Sequence, residues 1–311
     1  MIITVTLNAT LHVGYEVAGV VWDGINRVPV PRHRAAGRGV MVARVLHTFD
    51  HEVSAAGLAG GATGELIRSD LASSGVPTEF TRTGRESRRV IWVTDTERGT
   101  TACFSEPAPY ITTEELGRFA TDYRRLIKDA TAVVLCGSLA AGLPPEIFGT
   151  LATYAAEADV PVVLHAGGVA LRLGVTRHPA LVVPDIGSPD VEPFTAVTPR
   201  ELIDAGVGAV VVPAADGVSA TTAGVRWRAH GVPVPDAPAW QGGPASPGVP
   251  GWSGGARGAL VAGLVPGLLL GWSWPDRLRH ALALAAAADP FGSIDIPAYE
   301  RYVSQVVVEP A

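Results

Sequence analysis

The chain has one lysine, Lys128, in a basic total of 24, so every other Lys/Arg charge is a guanidinium. An arginine can therefore stand wherever a lysine would serve, and any anion site must be built from planar, fork-shaped donors. Cysteine is equally scarce: Cys103 and Cys136 alone exclude a disulfide framework and a cysteine-based zinc site. A basic excess is missing too. The formal net charge is −6, which argues against a dedicated nucleic-acid binder. No basic segment opens the chain, and MIITVTLN alternates like a strand, so no signal peptide is expected and the protein reads as cytoplasmic. The uncharged run at 258–275 has no basic flank and is interrupted by Gly263, Pro266, Gly267 and Gly271; it reads as a buried helix, not a membrane span. Glycine (36) and proline (25) make up about a fifth of the 311 residues, short of the fraction that marks low-complexity disorder. What remains is a chain long enough to bury a full core.

Apolar, β-rich runs at 2–7, 53–58, 132–136, 160–164, 180–183 and 209–212 alternate with helical stretches at 40–49, 64–73, 113–129, 145–158 and 199–205. Uniformly apolar strands suit a sheet covered on both faces. Thr112-Thr113-Glu114-Glu115 and Pro144-Pro145-Glu146 are good helix openings. The alternation predicts a doubly wound, mostly parallel sheet flanked by helices. Two stretches break it. Residues 15–34 and 87–103 hold short alternating runs, such as Val90-Ile91-Trp92-Val93, with no helix between them, and predict antiparallel strands of a small second sheet. Residues 231–258 hold eight glycines and six prolines in 28 positions, which predicts a long irregular loop. Two helices are expected behind it, at 259–271 and 276–288.

A series of motifs runs in order through this pattern: Thr6-Leu7-Asn8-Ala9-Thr10-Leu11, Asn26-Arg27-Val28, Gly37-Arg38-Gly39 through Val42-Ala43-Arg44, and Gly60-Gly61-Ala62-Thr63-Gly64-Glu65-Leu66. Ser105-Glu106-Pro107, Cys136-Gly137-Ser138-Leu139 with Gly142-Leu143-Pro144, Ala259-Leu260-Val261-Ala262-Gly263 and the closing Gln305-Val306-Val307-Val308-Glu309-Pro310 complete it. Over nearly its whole length the chain resembles the PfkB branch of the ribokinase superfamily, and most of all its 1-phosphofructokinase and tagatose-6-phosphate kinase group. The resemblance implies one ribokinase-like α/β domain over 1–311, with a β-sheet lid whose strands come from 12–34 and 87–104. It implies phosphoryl transfer from ATP, with Mg²⁺, to a sugar hydroxyl, and a homodimer paired through the lid sheet. The family's general base is an aspartate in a Gly-Ala-Gly-Asp turn at a helix start, whose N–H groups hold the transferring phosphate.

Several motif positions depart from the family. Gly255-Ala256-Arg257-Gly258 falls over the catalytic turn, which puts Gly258 at the base position, and a glycine accepts no proton. His12 stands where an aspartate grips sugar hydroxyls. Ala36-Gly37-Arg38-Gly39-Val40-Met41 loses a sugar-contacting asparagine at 41, and an Asp-Thr-Ser-Gly stretch has become His165-Ala166-Gly167-Gly168. The Lys-Pro-Asn-x-x-Glu motif of phosphate and magnesium handling reads Val183-Pro184-Asp185-Ile186-Gly187-Ser188, and the nucleotide loop has thinned to Pro213-Ala214-Ala215-Asp216-Gly217. Gly255 to Gly258, Asp185, Asp216 and Gly217 are therefore the candidate nucleotide and anion positions of an eroded site. Arg257 is expected either to fill the phosphate position or to turn outward and clamp an anion. The substrate side keeps more: Arg27, Arg88 and Ser138 fall where the family's sugar-phosphate kinases grip a phosphate, beside Gly37, Arg38, Gly39 and His12. Guanidinium groups bind phosphate with or without catalysis.

The pattern predicts a pseudokinase that binds a sugar phosphate or a partner protein. The alternative is a working carbohydrate kinase using ATP and Mg²⁺ with Asp185, Asp216 or a histidine as base. Gly251-Trp252-Ser253-Gly254-Gly255 matches a hydrolase elbow, but Pro/Gly-rich chain precedes it where a strand is needed. Gly37-Arg38-Gly39 is an incomplete dinucleotide fingerprint, with Val42 at the third glycine, and no P-loop exists. His12 and His165 read as uncharged cleft-lining imidazoles rather than a metal pair, and no metal site is expected.

Overall fold

The computed structural model describes residues 1–186, 198–234 and 252–311. Gly187, Ser188, Gly251 and much of the Pro/Gly-rich stretch lie outside the described residues. The chain opens with β1 (Ile2–Thr6), β2 (Thr10–Val17), β3 (Arg32–Ala36), α1 (Arg38–Thr48), β4 (Val53–Gly60), α2 (Gly61–Ser73), β5 (Thr78–Thr83), β6 (Arg88–Asp95) and β7 (Thr100–Ser105). It continues with α3 (Thr113–Leu126), β8 (Ala132–Cys136), α4 (Ile147–Glu157), β9 (Val162–His165), α5 (Gly168–Gly174), β10 (Leu181–Val182), α6 (Pro199–Asp204), β11 (Ala209–Ala214), β12 (Gly217–Thr222) and β13 (Arg226–His230). The last elements are α7 (Gly254–Leu269), α8 (Trp274–Ala287), α9 (Ile296–Gln305) and β14 (Val307–Pro310).

The large sheet has the order β14-β13-β12-β11-β10-β9-β8-β1-β4-β5. From β11 to β5 every pairing is parallel, and β12, β13 and β14 extend it antiparallel. β1, β4 and β8 are buried at every position, as strands covered on both faces must be. One core layer sets α1, α7 and α8 residues such as Val42, Leu260 and Leu282 against the sheet, and the opposite layer uses Phe119, Tyr123, Phe148 and Leu151 of α3 and α4. No described helix is long and apolar enough to cross a membrane. The 258–275 run is instead buried helix up to Gly267, with Pro266 inside α7.

The small sheet has the order β3-β2-β6-β7. Its two outer pairings are antiparallel, as expected, but its central pair corrects the sequence reading: β2 and β6 run parallel, with Thr10 opposite Arg88 and His12 opposite Val90. Two hairpins far apart in sequence are joined there, and local alternation carries no sign of direction. The second correction concerns α7, which begins at Gly254 rather than at 259. Ser253 caps it, its hydroxyl accepting the Ala256 N–H at 3.1 Å. Such a cap, worth about 1 kcal/mol, offsets the helix cost of one of the glycines behind it.

Candidate functional site

Parallel strands deliver their following loops to one edge of the sheet, and the crevice beyond the carboxyl ends is where such folds bind ligands. The register places Thr6, Cys136 and His165 side by side at the ends of β1, β8 and β9. Asn8 and Ser138 follow β1 and β8, and Asp185 follows β10. α1 enters the same crevice end-on. Gly37 caps it at φ +124°, and a Cβ on Gly39 would lie 2.5 Å from Thr6 Oγ1, so both glycines let the helix start close against β1.

The lid side of the crevice is polar. Asn8 Nδ2 donates to Ser138 Oγ at 3.2 Å, and Arg88 Nε donates to Thr10 Oγ1 at 3.0 Å. The neighbouring Arg89 is tied instead to Glu106, Nη2 to Oε1 at 2.7 Å on the exposed side, so Arg88 is the arginine that faces inward. His12 lies beside the rings of Trp92 and Phe291, with centroids 5.6 and 5.8 Å away and both contacts edge-on. Burial first, then the charges of Arg88, Arg38 and Arg34, push its imidazole down to about 4, so it is neutral at neutral pH. Arg27 does not join this group within one chain; it is exposed in the connection between β2 and β3.

The α7 side is closed on itself. Asp185 Oδ2 accepts from Arg38 Nε at 3.2 Å, and Oδ1 accepts from Arg38 Nη2 at 3.4 Å and Arg257 Nη1 at 3.1 Å. Asp185 and Arg257 are both buried, at 2% and 5% exposure. Burial alone would raise the Asp185 carboxyl, but the Arg38 and Arg257 guanidiniums hold it below the ordinary carboxylate range. Burial, then Arg38, lowers Arg257 to about 10, and Asp185 opposes that shift. His165 Nδ1 bonds the Val183 carbonyl at 2.8 Å, which fixes the proton there and leaves the buried Nε2 a bare acceptor. Burial, above all, lowers this imidazole too.

The first turn of α7 has few donors to give. Gly255 N–H donates to the Pro290 carbonyl at 3.1 Å and Ala256 N–H to Ser253 Oγ, while Arg257 N–H continues the helix to the Ser253 carbonyl at 3.1 Å. Met41 occupies the space beside the base position: a Cβ on Gly258 would lie 2.8 Å from Met41 Cβ. Asp216 and Gly217 lie at the turn from β11 into β12. Asp216 pairs with Arg228 on the exposed β12–β13 side, and Gly217 at φ +152° is held against the Ala229 carbonyl, where a Cβ would come within 2.0 Å. Trp252 is buried and donates Nε1–H to the Ala214 carbonyl at 3.2 Å, and Ser253 of the elbow-like sequence is the cap of α7. Sequence reasoning missed Arg34, Trp92 and Phe291 as cleft residues. Period-two alternation could have placed Trp92 two residues along from Val90 on one lid face, but nothing in sequence signals Phe291.

Solved structures share this architecture. A possible 1-phosphofructokinase from Thermotoga maritima matches at 20% identity with a TM-score of 0.80, covering 100% of this chain and 99% of that one. Phosphofructokinase-2 from Escherichia coli, solved with fructose-6-phosphate, matches at 20% identity and 0.77 over 97% and 98%. The tetrameric inhibited form of that enzyme matches at 20% and 0.79 over the same shares. Identities this low speak for the fold alone. The model of the pfkB family carbohydrate kinases, however, matches residues 12–185, more than half of the 311, and the chain belongs to that family.

Proposed function

We propose that this family member has lost phosphotransfer and works as a sugar-phosphate-binding pseudokinase. The observation that carries the reading is position 258: it has no carboxylate, and the space a side chain would need is taken by Met41. Loss of a positioned general base removes about 10²–10⁴ in rate. The residues present do not fit ATP and Mg²⁺ either. The Asp185 carboxylate is engaged by two guanidiniums, Arg257 turns inward onto it, and the N–H groups of Gly255 and Ala256 have partners inside the protein.

The lid side supports the binding half of the reading. Arg88, Ser138, Asn8 and Thr10 form a hydrogen-bonding group next to Arg38 and the neutral His12, a set suited to a phosphate and a few hydroxyls. Arg27 belongs to this site only if a second copy brings it, which fits a homodimer paired through the lid sheet. Val21, Trp22, Ile25 and Val30, all exposed in the same connection, give that pairing an apolar surface. A cytoplasmic setting suits such a sensor.

The test is a pair of measurements on the purified chain. Fructose 1-phosphate, fructose 6-phosphate or tagatose 6-phosphate should raise the melting temperature, and ATP–Mg²⁺ should not. A coupled assay should detect no phosphorylation of any of the three. Turnover in the ordinary range of about 1–100 s⁻¹ would replace this reading with an active kinase that uses another base.

A further inference from the structure

The turn between α8 and α9 touches three parts of the molecule that are distant in sequence. Its shape is set internally: Asp289 Oδ1 accepts from the Phe291 and Ser293 N–H groups at 2.9 and 2.8 Å, and the Asp289 N–H returns to the Ser293 carbonyl at 2.8 Å. Gly292, at φ +84°, closes it with an N–H bond to the Asp289 carbonyl at 3.0 Å. A turn bonded this often moves as a unit.

One side of the unit holds the lid. The Phe291 ring meets His12 and Trp92 edge-on, with centroids at 5.8 and 6.5 Å, on β2 and β6. Arg34, directly opposite His12 on β3, donates Nη2–H to Ser293 Oγ at 2.8 Å. Phe291 is 37% exposed, so its ring is held by the lid rather than by the core. The other side is fitted to the first turn of α7. The Pro290 carbonyl accepts the Gly255 N–H, and a Cβ on Gly255 would lie 1.9 Å from the Asp289 carbonyl oxygen and 2.6 Å from Gly292 N. Only a glycine at 255 lets the turn sit there.

We propose that residues 289–293 form a latch, which clasps the lid through Phe291 and Ser293 and couples its position to the first turn of α7 through Pro290. The lid can open only if the ring contacts and the Arg34 bond give way together. A shift of α7 at Gly255 moves the turn and so loosens the lid, and by linkage lid opening loosens Gly255. The device needs no ligand and stands apart from the sugar-phosphate reading.

Hydrogen exchange on the full chain without ligand tests it, with amides of β8 as internal reference. Phe291→Ala removes both edge-on ring contacts with the lid at once and should speed exchange in β2 and β6 about tenfold. Arg34→Gln should do so about threefold, and β8 should stay unchanged in both. Lid exchange within twofold of the parent in both variants would overturn the latch. Coupling is read from Gly255→Ala, which touches no lid residue and should still quicken β2 and β6. Where that variant does not fold, Asp289→Ala, which loosens the turn from within, should quicken the lid and the Gly255 amide together. A lid that ignores Gly255→Ala, or quickens in Asp289→Ala while Gly255 stays protected, would remove the coupling.

Discussion

At the lid end of the cleft, Asn8, Thr10, Arg88 and Ser138 hold one another by hydrogen bonds between short or flexible side chains. At the α7 end, the charged groups are closed into a buried Arg38–Asp185–Arg257 triple and the N–H groups of Gly255, Ala256 and Arg257 have partners. The neutral Asn8–Ser138 bond has a net worth of about 0.5–1.5 kcal/mol and the charge-assisted Arg88–Thr10 bond about 1.5–3 kcal/mol, and an incoming phosphate or hydroxyl can replace either. A buried ion pair cannot be opened on those terms, because a released charge stays in a site without water. The hydrogen bonds named at the lid end are therefore replaceable, whereas the ion triple locks the α7 end.

The sharpest way to break this comparison is Asp185→Ala. It leaves two guanidiniums facing each other in the interior, and breaking a buried pair costs about 3–5 kcal/mol. Urea unfolding should show a loss of that size. A loss under about 1 kcal/mol would mean that the triple behaves as a solvated pair and that the α7 end is not locked.

Acid should separate the two ends next. His12 is lowered from 6.5 to about 4, so between those values the unfolded chain binds a proton that the folded chain refuses. Stability is then full above pH about 6.5 and falls as pH drops towards about 4. His280, half-buried beside Tyr299 and also lowered to about 4, and His165 add to the same loss, whereas the depressed Asp185 acts only below the carboxylate range. His12→Gln should flatten part of this slope, on the order of 2 kcal/mol between pH 7 and 4.5. An unchanged slope would show that the imidazole reaches solvent through the lid.

Gly258→Asp sharpens the comparison at the base position. A side chain there runs into Met41 Cβ, and overpacking of this kind costs about 1–3 kcal/mol. No kinase turnover should appear, since Arg257 and the paired helix donors remain. In a Met41→Gly background, which removes the Cβ that the new side chain meets, Gly258→Asp should cost much less and still give no turnover. A cost as large in that background as in the parent would show that Met41 is not what excludes the carboxylate.

The legibility of this protein in its sequence divides along similar lines. Strands such as 132–136 and 209–212 are uniform apolar runs, and burial on both faces leaves that mark directly. The order of the glycine motifs then sufficed to place Gly37, Arg38, Ser138 and Asp185 around one crevice. What sequence could not carry is direction and contact. β2 and β6 pair in parallel although each reads as half of a hairpin, because period two is the same either way. The start of α7 was hidden because glycine-rich chain reads as loop, while a single Ser253 hydroxyl decides the cap. Arg257 offered two fates, and its inward turn follows from Asp185, seventy-two positions away in sequence. The Phe291 contact with His12 has no periodic signature at all.

The smallest expected effect on stability lies at the lid end, in Ser138→Ala. Ser138 Oγ accepts from Asn8 Nδ2 at 3.2 Å, and the hydroxyl is only part-buried. Removing it costs one replaceable hydrogen bond, about 0.5–1.5 kcal/mol at most, and Asn8 can turn to water. The same hydroxyl is one of the few neutral donors available to a phosphate beside Arg88. A sugar phosphate bound there should lose a charge-assisted bond, and such bonds are roughly twice as strong as neutral ones. Fructose 6-phosphate affinity, read by calorimetry, should fall about tenfold while the melting temperature shifts by only a few degrees. A large stability loss with unchanged affinity would reverse the comparison, making the lid end the structural half of the cleft and leaving the binding group elsewhere.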